Sequence, residues 1–160
     1  MVNVKIIAVG KLKEPYFKAA FDEYAKRLSS FCRLTAEEIE QERLPDLPSD
    51  KEIEKALGTE ADKILAKIPP GSCVIPLCIE GKQLGSEDFA GLIGRETDAG
   101  TGTFVFIIGG SFGLADRVKT AGKVRLSMSE MTFPHRLARI MLAEQLYRAF
   151  SIINNRKYHK

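Results

Sequence analysis

The run Thr103-Phe104-Val105-Phe106-Ile107-Ile108 has no polar or charged side chain after its first residue, and it passes directly into Gly109-Gly110-Ser111-Phe112-Gly113. A run this apolar has no face to offer to water. It predicts a strand covered on both sides, the situation of strands in a parallel sheet flanked by helices. Residues 4–10 are a short β-branched run closed by glycine, and residues 72–79 are another buried candidate. Pro76 lies inside the latter; it has no N–H for a sheet ladder, so the strand should end, bulge or turn that position away from a neighbour. Residues 33–39 and 124–128 are weaker strand candidates.

Helical signals fill the intervals. Residues 15–31 open on Pro15 and place Phe17, Ala20, Phe21, Tyr24, Ala25 and Leu28 at spacings of three and four, as an amphipathic helix requires. Ser49-Asp50-Lys51-Glu52 is a capping box that opens a helix to about residue 68, where Pro69-Pro70-Gly71 stops it. Ser86-Glu87-Asp88 reads as an N-cap with acid in the first turn of a helix to about residue 97. A short helix near 115–121 and a long one over 134–152, with Pro134 at its first position, complete the pattern. Strand and helix alternate, which predicts an α/β fold with a mainly parallel sheet and helices on both faces. With 160 residues, 44% of them apolar, and no repeat or linker, the expectation is one domain over residues 1–160.

No apolar run approaches the roughly 20 residues of a membrane helix, and the Met1-Val2-Asn3-Val4-Lys5 start has no secretory pattern. Cys32, Cys73 and Cys78 are an odd number at spacings that suit neither a disulfide framework nor zinc. The expectations are therefore a cytoplasmic protein, no membrane, no metal, and cysteines that serve as small buried residues. The net charge of +3 conceals an uneven distribution. Residues 1–116 carry 14 basic and 19 acidic side chains, whereas residues 117–160 carry 10 basic and two acidic ones. A basic last quarter on a near-neutral chain points to an anionic partner, nucleic acid above all.

The glycine-rich turn after residue 108 lets backbone N–H groups approach a ligand. It matches neither the dinucleotide pattern nor a Walker loop, which disfavours NAD and ATP hydrolysis. Ligands of such sheets collect beyond the carboxyl ends of strands, and strand ends at Leu77, Gly109 and Met128 can meet there. Residues 126–133 are small, polar and thioether-bearing, suited to wrap an amphipathic cofactor. His135 and Arg139 share a helix face, a cationic spot for a phosphate or carboxylate, while Glu144 and Arg148 read as a helix-stabilising pair. In the tail, Arg156, Lys157, Tyr158, His159 and Lys160 combine charge with groups that stack on bases, as RNA contacts do. Asn155 tolerates left-handed geometry and suits a helix end.

Taken together, residues 106–114, residues 126–135, Glu144-Gln145-Leu146-Tyr147-Arg148-Ala149 and the terminal Tyr158-His159-Lys160 resemble the RlmH proteins, minimal SPOUT-class RNA methyltransferases. The likeness spans nearly the whole chain, with Asn155 standing where many members have glycine. It implies a cytoplasmic homodimer with a C-terminal trefoil knot that binds S-adenosylmethionine and methylates N3 of a pseudouridine in 23S ribosomal RNA, on the large subunit or ribosome. General topology rules would not have suggested a knot. By matching motif positions, the resemblance implies cofactor contacts at Leu77, Gly109, Met128, Ser129, Glu130, Met131, Thr132 and Phe133.

Methyl transfer from a sulfonium needs an in-line nucleophile, a dry site and a route for the N3 proton. Arg139 and His135 are the candidate catalytic residues, and Tyr158, His159 and Arg156 the candidate RNA contacts. No cysteine follows residue 117, so attack through a cysteine adduct, as in pyrimidine C5 methylation, is disfavoured. Two alternatives stay open at this point: a SPOUT enzyme acting on tRNA or a ribose hydroxyl, and a noncatalytic ribosome-associated RNA-binding factor.

Overall fold

The computed structural model of the chain describes residues 1–155. Its elements run β1 (Val2–Val9), α1 (Pro15–Leu28), β2 (Cys32–Ile39), α2 (Asp50–Ala66), β3 (Cys73–Gln83), α3 (Ser86–Asp98), β4 (Thr103–Ile108), α4 (Asp116–Ala121), β5 (Leu126–Ser127) and α5 (His135–Ile153). The strands form one sheet in the order β2-β1-β4-β3-β5, and every pairing is parallel. The apolar run that becomes β4 sits between β1 and β3, and Phe104 through Ile107 have no exposed surface.

Alternation along the strands divides the core. Val4, Ile6 and Ala8 join Phe104, Phe106 and Ile108 on one face, under Leu28 of α1, Phe89 and Ile93 of α3, and Leu142, Leu146 and Phe150 of α5. Ile7, Val9, Val105 and Ile107 point to the opposite face, under Ala61 and Ile64 of α2 and Val118 of α4. The two faces bear out the expected layering. All three cysteines are free and buried, and burial pushes the Cys32 thiol up to about 11.

Local signals act largely as the residues predict. Ser49 and Glu52 form the reciprocal capping box of α2, and Asn155 takes a φ of 52° just past α5. Three expectations are corrected. Ser86 does not cap α3: Gly85 holds that position, and the Ser86 hydroxyl donates instead to Gln145 Oε1 of α5 at 2.7 Å. Pro134 is the N-cap of α5 rather than its first helical residue. The strand expected over 124–128 shrinks to the two residues of β5.

Pro76 stays inside β3. A Cβ on Gly122 would lie 2.3 Å from Pro76 Cδ, so the side of the ring that replaces the N–H is covered by a residue with no side chain. Beyond Leu77 the register against β5 shifts, because both Leu77 and Lys82 align with Leu126. Gly81 makes this bulge possible, since a Cβ there would meet the Arg125 carbonyl oxygen at 2.7 Å. The bulge turns residues 78–80 away from the ladder.

The connections set where a crevice opens. The chain leaving β4 goes to the face that holds α2 and α4, while the chains leaving its neighbours β1 and β3 go to the face of α1 and α3. Diverging connections leave space beyond the end of the strand between them. The segment from β5 to α5 then crosses these strand ends and delivers the first turn of α5 to the end of β1, where Arg136 Nε donates to the Lys11 carbonyl at 3.0 Å. This path is consistent with the trefoil knot that the resemblance implies.

Candidate functional site

A cleft of about 880 Å³ occupies the space beyond β4. It is lined by Leu77 in the middle of β3, which runs on to Gln83 past the strand end expected at Leu77, by Ile108 at the end of β4, by the turn 109–114, and by the crossing segment with the start of α5. The turn is a tight one. Gly110 and Gly113 form an isolated antiparallel bridge, Gly113 has a φ of 80°, and a Cβ on Gly109 would lie 2.5 Å from the Gly113 carbonyl oxygen. Only bare backbone fits there, which keeps main-chain groups accessible at the floor of the cleft.

The crossing segment is shaped by its own hydroxyls. Ser127 Oγ donates to the Ser129 carbonyl at 3.0 Å, and the Met131 amide donates to Ser129 Oγ at 3.0 Å. These short-range bonds replace the ladder that a longer β5 would have made. Leu77, Gly109, Met128, Ser129, Met131, Thr132 and Phe133 all line the cleft. Glu130 does not: it is exposed and falls outside the lining, while the residues on either side of it contribute. Cys78, Ile79 and Glu80 on the β3 bulge and Lys119 on α4 were not anticipated as lining residues. For the three bulge residues the sequence signal was Gly81 within a strand, which marks a bulge; no local signal marked Lys119.

His135 and Arg139 do not form the expected cationic spot. His135 lines the cleft, and its ring packs on Gly10, where a Cβ would lie 2.9 Å from Nε2. Burial, with Arg136 and Arg139 nearby, holds the imidazole below its usual pKa of 6.5, against a smaller opposing pull from Glu14. The ring is therefore neutral at physiological pH. Arg139 is 2% exposed and points to the ends of β1 and β2. Its guanidinium donates to the Gly10 carbonyl at 3.0 Å and to Glu38 Oε2 at 3.3 Å, and the Leu12 amide donates to the same Glu38 oxygen at 2.9 Å. Arg136 pairs with Glu14 at 2.8 Å. The start of α5 thus clamps the loop that follows β1.

Glu144 and Arg148 pair along α5 at 2.5 Å, as their spacing predicted. Arg156, Tyr158 and His159, the expected RNA contacts, lie outside the described residues. Among the described residues no group of three or more His, Cys, Asp or Glu is placed to hold a metal ion, and no helix is long and apolar enough to cross a membrane.

Comparison with known proteins agrees with this geometry. A sequence model of the family described as "Predicted SPOUT methyltransferase" matches residues 2–159. Proteins named ribosomal RNA large subunit methyltransferase H are similar at full length. One from Clostridium botulinum is 47% identical and one from Limosilactobacillus reuteri 44%, each match covering 99% of this chain and 100% of the relative. Among solved structures, a probable methylase family protein from Haemophilus influenzae superposes with a TM-score of 0.55 at 14% identity, covering 99% of this chain and 71% of that one. A probable methyltransferase from Bordetella pertussis gives 0.54 at 15% identity, covering 93% and 95%. At such identities the structures speak for the fold alone, but the full-length sequence matches do more: the chain belongs to the SPOUT methyltransferase family, within its RlmH group.

Proposed function

We propose that this chain uses S-adenosylmethionine to methylate N3 of a pseudouridine in 23S ribosomal RNA, working as a cytoplasmic homodimer of one-domain subunits on the large subunit or ribosome. The observation that carries the reading is the cleft beyond β4, built by the same residues whose motifs resemble the family. Its chemistry fits an adenosyl-bearing sulfonium. Leu77, Ile108, Leu114 and Phe133 supply apolar walls, Ser129 and Thr132 supply hydroxyls, and the bare turn at Gly109 supplies main-chain groups. The volume falls within the roughly 300–1,000 Å³ of small-molecule sites.

Bound there, S-adenosylmethionine supplies an electrophilic methyl group that needs no covalent help from the protein. The chain's own tasks are to place the nucleophile, keep water out and accept the N3 proton. His135 is the candidate for the last of these because it lines the cleft and is not already protonated, although the burial that keeps it neutral also makes it a weaker base. Arg139 acts at one remove: by holding the Gly10 carbonyl and Glu38 it fixes the surface on which His135 rests. Tyr158, His159 and Arg156 contact the RNA.

Calorimetry with S-adenosylmethionine and S-adenosylhomocysteine tests the cofactor, and heat of binding is expected with both. A binding-only RNA factor would give none. Mass spectrometry of 23S nucleosides from a strain lacking the gene tests the target: 3-methylpseudouridine should vanish, and an unchanged signal overturns that assignment.

A further inference from the structure

The cleft has very little charge. Among its described lining residues, Glu80 and Lys119 are the only side chains that are ionised at neutral pH, since His135 is held neutral. Glu80 reaches the cleft on the β3 bulge, and Lys119 comes from the last turn of α4. The two are hydrogen-bonded as an ion pair. That bond holds the Glu80 carboxyl below its usual range, with Arg125 adding a weaker pull from nearby. The Glu80 side chain is 54% exposed and that of Lys119 20%, so the pair sits at the boundary between cleft and solvent.

Exposed pairs of this kind add little to fold stability, because water and salt screen them and the long side chains lose freedom. One acid and one base side by side on an otherwise uncharged wall are, however, complementary to a ligand end that carries both signs on neighbouring atoms. An α-amino acid is such an end. We infer that Lys119 and Glu80 bind the amino-acid end of the cofactor, Lys119 taking the α-carboxylate and Glu80 the α-ammonium. The inference rests on the S-adenosylmethionine reading above. Each side chain exchanges one charge-assisted bond for another, and until then each holds the other in place, which limits the ordering cost of binding.

Calorimetry with two ligands tests this. S-adenosylhomocysteine carries the amino-acid end; 5′-methylthioadenosine keeps the adenosyl thioether without it. Lys119→Met and Glu80→Gln are each expected to weaken S-adenosylhomocysteine about tenfold, equivalent to about 1.4 kcal/mol, while 5′-methylthioadenosine changes by less than about twofold. Lys119→Arg, which keeps the charge, should restore most of the loss. Undiminished 5′-methylthioadenosine binding also reports that the variants are folded. If both ligands weaken alike, the pair is only a tie between the bulge and α4 and the inference is overturned; it is overturned as well if neither ligand weakens. If the unaltered protein binds neither ligand, the cofactor reading itself has failed. The two failures are thereby distinguishable.

Discussion

Strands β1 and β4 lie side by side, end at the same edge of the sheet and are each followed at once by glycine, yet the two ends have opposite fates. Beyond β1, Gly10 is covered by the His135 ring, and the loop after it is tied down by Arg136 and Arg139. Beyond β4, the turn folds back on itself through the Gly110–Gly113 bridge and leaves a cleft. The strands themselves do not make this difference. It comes from where the first turn of α5 lands, since a helix start that covers one strand end becomes a side wall for the next. One end is a joint and the other is a site.

The open end is the more sensitive of the two. Gly109→Val puts a branched side chain where even a Cβ lies 2.5 Å from backbone oxygen. It is expected to cost about 3 kcal/mol in urea unfolding and to abolish S-adenosylhomocysteine binding by calorimetry. At the closed end, Arg139→Met removes the donor to Gly10 and takes from Glu38 its cationic partner, leaving it the Leu12 amide. Cutting a fully buried pair costs about 3–5 kcal/mol, but Glu38 is 38% exposed, so about 2 kcal/mol is expected by the same measurement. Loss of stability with cofactor affinity intact would show that the clamp serves the fold alone.

Gly10→Ala should act more mildly, at about 1 kcal/mol from its φ of 99°. Its second effect is to push the His135 ring and with it the wall of the cleft. Adding His135→Ala should then recover part of the lost cofactor affinity, and purely additive losses would count against contact between the two. The smallest effect concerns pH. The folded imidazole has a depressed pKa, so the unfolded chain takes up its proton first, near 6.5. Stability is therefore full above that pH and falls as pH drops through it, until the folded ring also protonates. In His135→Gln, thermal unfolding should depend less steeply on pH in this window.

Much of the joint's scaffold was legible in the residues. The β4 run coincides with its strand, the Ser49–Glu52 box caps α2, and Asn155 ends α5 as its left-handed tolerance suggests. These features depend on near neighbours in the chain. Arg139 was harder, because spacing tells which helix face a side chain occupies but not what faces it; here the ends of β1 and β2 meet it, some hundred positions away, and Glu38 takes up its charge. The β3 bulge was hidden for the same reason, since Gly81 is pressed by the Arg125 carbonyl, a long-range contact. Ser86 had both a local and a distant use for its hydroxyl, and Gln145 won.

The bond from Arg136 to the Lys11 carbonyl joins residues 125 positions apart. Such a contact needs a very long loop to close before it returns anything. The site is complete only once the start of α5 has docked on the loop after β1, so a ligand that needs His135 in its wall stabilises chains in which that contact has formed. Occupancy of the cleft then reports that two segments far apart in the chain have met.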